Sequence, residues 1–311
     1  MAGLVYKRKQ VHFVAESTPG TPNTTSMTAI NVYDFKVPDW KADFLGIDGQ
    51  RGFGNLGGVL GARSGEFSFK FDVTFKSAAD PAWMNLLAGC GYALSTGVWT
   101  PTSAPPGASG GSSCLTFRFQ QDGREQVVAG CCGSIKFSAV AGGKIVAEAT
   151  FKGIPSTPSD ASFSTLTLPS GETVARFASV SSLTIGGTSL TVAELSLDMG
   201  VEVSLIEDAS TASGYKHAVP VNAKPSGTVV MLAGLNSGFR PLLRAIAGTT
   251  GAFAWKIGSS GAGVDVAGPA LQFTGEQSAD RNGILYDSGS FILNRSAGAG
   301  DDALTFDGTA A

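Results

Sequence analysis

The side chains that could do chemistry in this chain are few and scattered. His12 and His217 are its two histidines, and neither lies in a His/Cys/Asp pattern with metal-ligand spacing, so each reads as a surface or loop residue. Cys90, Cys114, Cys131 and Cys132 all fall in the first half; the adjacent pair cannot easily bridge to itself, and reduced, partly buried structural thiols are expected. No G-x-S-x-G elbow is matched with a histidine. Gly52-Phe53-Gly54-Asn55-Leu56-Gly57 fits G-x-G-x-x-G, but a dinucleotide site needs that turn to follow a strand and open a helix, and here a Gly-rich turn and a Phe-rich strand follow. The acids Glu194, Asp198, Glu202, Glu207 and Asp208 have no Lys or Arg among them from Leu190 to Tyr215. Their spacing does not suit a calcium loop, which leaves a solvated strand face or a surface that repels polyanions. No catalytic, cofactor-binding or metal-binding residue is predicted, and the chain does not read as an enzyme.

The elements around these residues are clearer. Phe67, Phe69, Phe71, Val73 and Phe75 alternate with polar residues, the period of a half-buried strand. Asp80 offers an N-cap, Pro81 suits the first helical position, and Trp83, Met84, Leu86 and Leu87 form an apolar stripe that Gly89 and Gly91 end. A similar series returns at Pro225–Gly248, where Phe239, Leu242 and Leu243 stand for Trp83, Leu86 and Leu87, and Ser237 stands near the place of Asp80. Downstream, Val128-Ala129-Gly130 recurs as Val266-Ala267-Gly268, Ile135 and Phe137 as Leu271 and Phe273, and Gly143 and Phe151 as Gly283 and Phe291. An ancient internal duplication is the reading.

Strands are further expected at Tyr6–Val14, Ile30–Val37, Cys114–Gln120, Gln126–Gly130, Ser134–Val140, Lys144–Phe151, Leu183–Ile185, Ser189–Leu197, Val201–Ile206, Phe253–Ile257, Ala270–Thr274 and Ile284–Leu293. Asp122-Gly123 and Gly186-Gly187 are hairpin turns by composition, and Asp301–Ala311 reads as a frayed tail. The expected fold is mainly β, two tandem antiparallel β-sandwich or half-barrel domains each flanked by one α-helix. They are placed at residues 1–153, with an N-terminal arm, and 165–311, joined by a linker at 154–164.

With 311 residues, 43% apolar and only 15% charged, and 42 glycines, the chain can fill two cores but has little charge to keep a surface in water. That composition suits a surface covered in an oligomer, or a secreted β-protein. A net charge of −3 gives no basic footprint for nucleic acid, and no apolar run approaches a membrane span. The segment 41–65 is Gly-rich yet carries Phe44, Leu45, Ile47, Phe53, Leu56, Val59 and Leu60. Those residues would be exposed unless a neighbouring subunit, or the chain's own core, covers them.

The order of features resembles the major tail tube proteins of long-tailed, siphophage-type bacteriophages. The features that carry the likeness, over roughly residues 10–153, are Glu16-Ser17-Thr18-Pro19-Gly20-Thr21, the Gly-rich loop, the alternating strand, the Pro81-x-Trp83-x-x-Leu86-Leu87 helix and a Gly-rich V-x-G element before Phe137. The resemblance implies a structural virion protein, without cofactor, whose homo-oligomeric rings stack into the hollow tube that passes double-stranded DNA. By position, the loop with Phe44, Leu45, Ile47, Phe53, Leu56, Val59 and Leu60 matches the contact to the next ring. Rings of six are usual for one tube domain, while two per chain could close as a trimer. The implied partners are tape measure, tail terminator and tail-tip proteins, with assembly in the host bacterial cytoplasm and no membrane. A channel for DNA should be neutral or acidic, since rows of Lys and Arg hold phosphates, and Glu194, Asp198 and Glu202 are the candidate lumen acids. A capsid decoration protein, a tail-tip component or a cell-surface binding module are the alternatives.

Overall fold

Period-two alternation sets most of the architecture. The computed structural model describes residues 9–35, 38–47, 56–77, 79–162, 167–178, 182–235, 238–259, 262–296 and 301–308. Its strands are β1 Lys9–Ala15, β2 Thr28–Ile30, β3 Val32–Tyr33, β4 Asp39–Ile47, β5 Leu56–Asp72, β6 Thr74–Phe75, β7 Tyr92–Ser95, β8 Val98–Pro101, β9 Leu115–Gln121, β10 Arg124–Val140, β11 Ile145–Pro155 and β12 Ser159–Asp160. They continue as β13 Thr173–Val174, β14 Leu183–Ile185, β15 Thr188–Ser189, β16 Val192–Asp198, β17 Val201–Glu207, β18 Tyr215–Ala223, β19 Ser226–Leu232, β20 Thr250–Ser259, β21 Ala262–Arg281, β22 Ile284–Asn294 and β23 Thr305–Asp307. A 3-10 helix, Ala82–Cys90, and one α-helix, α1 Pro241–Ala247, complete the described elements. The fold is mainly β and antiparallel.

In the first half the strand order is β2-β1-β9-β10-β11-β5, and in the second it is β15-β14-β20-β21-β22-β19. The registers match as well as the order. Val128 faces Phe117 and Cys131 faces Leu115, while Gly268 faces Phe253 and Leu271 faces Gly251, with the extra residue of a bulge at the same place in each. Gly133 pairs with Phe151 and Phe273 with Phe291; Phe67 pairs with Phe151 and Gly227 with Phe291. Counterparts are thus separated by 136 positions on β9, 140 on β10 and β11, and 160 on β5.

The halves are joined where β16 lies between β19 and the end of β10, pairing Asp198 with Lys136 and Glu194 with Val140. One hydrophobic core runs through both, from Val11 and Phe13 to Leu304 and Phe306. Its aromatic rings interlock: Trp83 meets Phe137 edge-on at 5.6 Å, and Phe137 meets Trp255 edge-on at 6.4 Å.

Several expectations need correction. The first helix is 3-10 rather than α, and its N-cap is Pro81; the Asp80 carboxylate instead accepts the Trp99 indole N–H at 2.9 Å, and Glu172 takes the Ala82 N–H at 2.7 Å. Ser237 lies outside the described residues, and α1 begins at Pro241 after Arg240. Within Ile30–Val37, β2 ends at Ile30 and β3 is only Val32–Tyr33, after which Asp34 turns the backbone left-handed at φ 51; Lys36 and Val37 lie outside the described residues. Gln126–Gly130 and Ser134–Val140 are one long strand bent at Gly130, whose φ is 61. Nor is 301–308 frayed: Leu304 and Phe306 are fully buried, and β23 pairs with β8 and β21. An apolar residue at every second place was signal enough for a strand there. Of the 154–164 segment, β11 takes residues to Pro155 and β12 pairs with the start of β10.

Candidate assembly surface

β4 and β5 form a hairpin that continues past the main sheet, with Phe44 facing Leu60, Leu45 facing Val59 and Ile47 facing Leu56. Gly57, Gly58 and Gly61 in β5 add no side chain to bury, so this ribbon has no core of its own. Leu45, Val59 and Leu60 are consequently 60%, 62% and 64% exposed. Leucine and valine so placed contribute to folding only if something else covers them, at about 1.5–3 kcal/mol each. Phe44, Ile47 and Leu56 occupy strand positions in the same hairpin, and Phe53 lies outside the described residues.

The three singled-out acids do not share a sheet. Glu194 and Asp198 sit on β16, where alternation buries Leu195 and Leu197 and turns the acids outward. Glu202 belongs to the separate β17–β18 ribbon. Each has a cationic neighbour from a distant part of the chain: Arg281 pairs with Glu194, Lys136 stands opposite Asp198, and Lys224 is 3.6 Å from Glu202. Outward along the same row, Glu148 separates Lys136 from Lys70. The outer face of the central strands therefore alternates in sign, which the one-dimensional run of acids did not reveal.

The β17–β18 ribbon lies over the first half. Val203 and Leu205 pack with Ala218 on Cys114 and Cys132, and the Arg63 N–H donates to the Ser213 carbonyl at 2.8 Å. His217 presses on the bend of β10: a Cβ added at Gly130 would come within 2.8 Å of the His217 Cβ. Beneath it, Glu16 accepts hydrogen bonds from the Gly130 and Gly20 N–H groups and the Thr116 hydroxyl, each at 2.7 Å. Burial pushes the Glu16 carboxyl up, and the Gly130, Thr116 and Gly20 donors partly offset it. The Cys114 thiol is lowered to about 7, chiefly by the Cys132 thiol 3.8 Å away and further by His217. His217 is raised in turn by its contact with Cys114. His12 is also buried, between β2 and β9, and is lowered by that burial first and by Arg118 second. Both histidines are buried rather than surface residues, His12 within a strand flanked on both sides and His217 where its ribbon meets β10.

Among the described residues no His, Cys, Asp and Glu cluster could hold a metal, no helix is long and apolar enough to cross a membrane, and the four cysteines are free and buried. The Glu16 carboxylate is taken up by Gly130, Gly20 and Thr116, and Cys114 by His217 and the Ala218 carbonyl, all beneath a hairpin, so these groups build structure. What remains open to the outside is apolar surface on a β ribbon. A search of curated proteins finds no match. One family model, described as phage tail tube protein, matches residues 7–310, and the chain belongs to that family.

Proposed function

From a phage tail tube protein built this way, we propose self-assembly into rings that stack as the hollow tail tube of a long-tailed phage, with DNA sliding through. The family is structural and places the chain in the virion tail. The observation that carries assembly is the β4–β5 ribbon, with Leu45, Val59 and Leu60 held in water by a chain that has few charges to spare. That hairpin reaches another copy, and Phe53 belongs to the contact with the next ring. Two tandem tube-type units, descended from one by duplication, are supported by the shared strand order and register of the halves, with 1–153 and 165–311 as their bounds. A ring of three chains then presents six such units.

Passage of DNA needs a wall that neither holds nor strongly repels phosphate. The alternation of Lys70, Glu148, Lys136 and Asp198, and the pairing of Glu194 with Arg281 and of Glu202 with Lys224, suit a wall near neutrality. Assembly takes place in the bacterial host around a tape measure protein, between tip and terminator proteins. Negative-stain microscopy with light scattering over a range of concentration tests this: rings or tubes with three- or sixfold symmetry are expected, and a chain that stays monomeric throughout sinks it.

A further inference from the structure

We propose that a second copy of this chain lays its β4–β5 hairpin across the outer face of β21 and β22, repeating between copies the contact that β17–β18 makes with β10 and β11 within one. The proposal rests on the self-assembly reading and assigns its two surfaces. The two hairpins are counterparts by register. Val203 faces Pro220 and Ser204 faces Val219 in one; Phe44 faces Leu60 and Leu45 faces Val59, 159 and 160 positions earlier, in the other. One hairpin is seated and the other is not.

The seat is filled once and open once. Pro220 packs on Gly91, the left-handed cap that ends the 3-10 helix, 3.3 Å from where a Cβ would stand. Gly248 is the same left-handed cap at the end of α1, and among the described residues no atom outside its chain neighbours comes within 4 Å of that position. Leu60, the counterpart of Pro220, is the exposed side chain that fits there. Beside Gly248, Ile246 and Leu243 on α1 are exposed. Sizes are complementary too. In the seated case His217 is the large partner and Gly130 the small one; across copies the register sets Gly57 against Ala270, so the bulk moves from the hairpin to the face.

The sheet edge agrees. β16 pairs with β10 along Lys136–Val140, but the matching end of β21, from Glu276 to Arg281, has β22 on one side and, among the described residues, no strand on the other. The incoming hairpin therefore caps α1 beside an open sheet edge. This places Leu45, Val59 and Leu60 at the contact between neighbours within a ring.

Two batches of full-length chain, one with Leu60→Cys and one with Thr249→Cys, are mixed and mildly oxidised; the native thiols are buried and stay silent. A disulfide-linked mixed dimer is expected, well above that formed by Leu60→Cys with Asp208→Cys. In parallel, Leu60→Glu should raise the concentration needed for assembly at least about tenfold, since an ion cannot occupy an apolar seat, while the thermal midpoint stays unchanged. Rings that form with no preference for the Thr249 partner, or unaffected by Leu60→Glu, overturn the assignment and leave self-assembly standing. A wild-type chain that never assembles overturns both.

Discussion

The 3-10 helix Ala82–Cys90 and α1 follow corresponding strands and carry the same aromatic-x-x-Leu-Leu pattern, yet Trp83, Met84, Leu86 and Leu87 are buried while only Pro241 is buried in α1. The reason is what surrounds them. The first is followed by β7, β8 and a loop to β9, and β23 returns to pack Phe306 against Trp83 and Tyr92. After α1 the chain passes through Gly248 and Thr249 straight into β20, so nothing is left over to cover the helix. An identical sequence pattern thus ends in core in one half and at the surface in the other, and the surplus apolar area marks where a partner belongs.

The largest test of that contrast is Trp83→Ala against Phe239→Ala. The first removes a buried indole whose N–H is bonded to the Thr74 carbonyl and should cost about 3–5 kcal/mol in urea denaturation. The second removes a half-covered ring held by Phe273 at 5.9 Å and by the Arg244 guanidinium at 4.4 Å, and about 1–2 kcal/mol is expected. Next comes the bend of β10. Gly130→Ala forces a side chain into left-handed backbone and against His217, a loss of about 2–4 kcal/mol, whereas Ala270→Gly at the counterpart position should cost no more than about 1 kcal/mol. Equal losses would mean that the two bends are not equivalent sites under different covers.

The histidines give a smaller effect with opposite signs. His12, held below its ordinary value of 6.5, contributes stability that is complete above pH 6.5 and is lost as pH falls through its folded value. His217, held above 6.5, contributes stability that is complete below pH 6.5 and fades as pH rises through its folded value. Thermal midpoints from pH 5 to 8 should show His12→Asn flattening the acid side and His217→Asn the alkaline side; a swap of the two sides would reverse the assignments. Smallest of all, Lys224→Ala, which frees the exposed Glu202, should move stability by less than about 0.5 kcal/mol.

Much of this fold could be read from the chain. Alternation placed the Phe67–Phe71 strand, and both Asp122-Gly123 and Gly186-Gly187 make their two-residue turns with positive φ. The likeness of the two halves was visible, but most of its alignment was not. By sequence Val128 matches Val266 and Phe137 matches Phe273; by register Val128 matches Gly268 and Gly133 matches Phe273. A slip of two or four residues keeps every apolar side chain on its own face, so composition cannot fix it and only the bulge and the partner strand do. Phe151 and Phe291, with Gly143 and Gly283 at the same offset of 140, were matched from the sequence as the register has them. The cationic partners of Glu194 and Glu202 were hidden for a related reason: Arg281 arrives on β21 and Lys224 on the connection between β18 and β19. The exposed apolar hairpin was legible, because glycine without disorder-like polarity is unusual, whereas the seat at Gly248 needs coordinates.

The burial of Phe306 also sets a schedule for synthesis. Its ring closes over Trp83, Tyr92 and Phe137, residues made much earlier. At roughly 5–20 residues per second, the ribosome leaves the first half's core uncapped for on the order of 10–40 s. During that interval the nascent chain shows aromatic surface that a chaperone can hold. A chain halted before Leu304 lacks the ring that closes over Trp83, Tyr92 and Phe137.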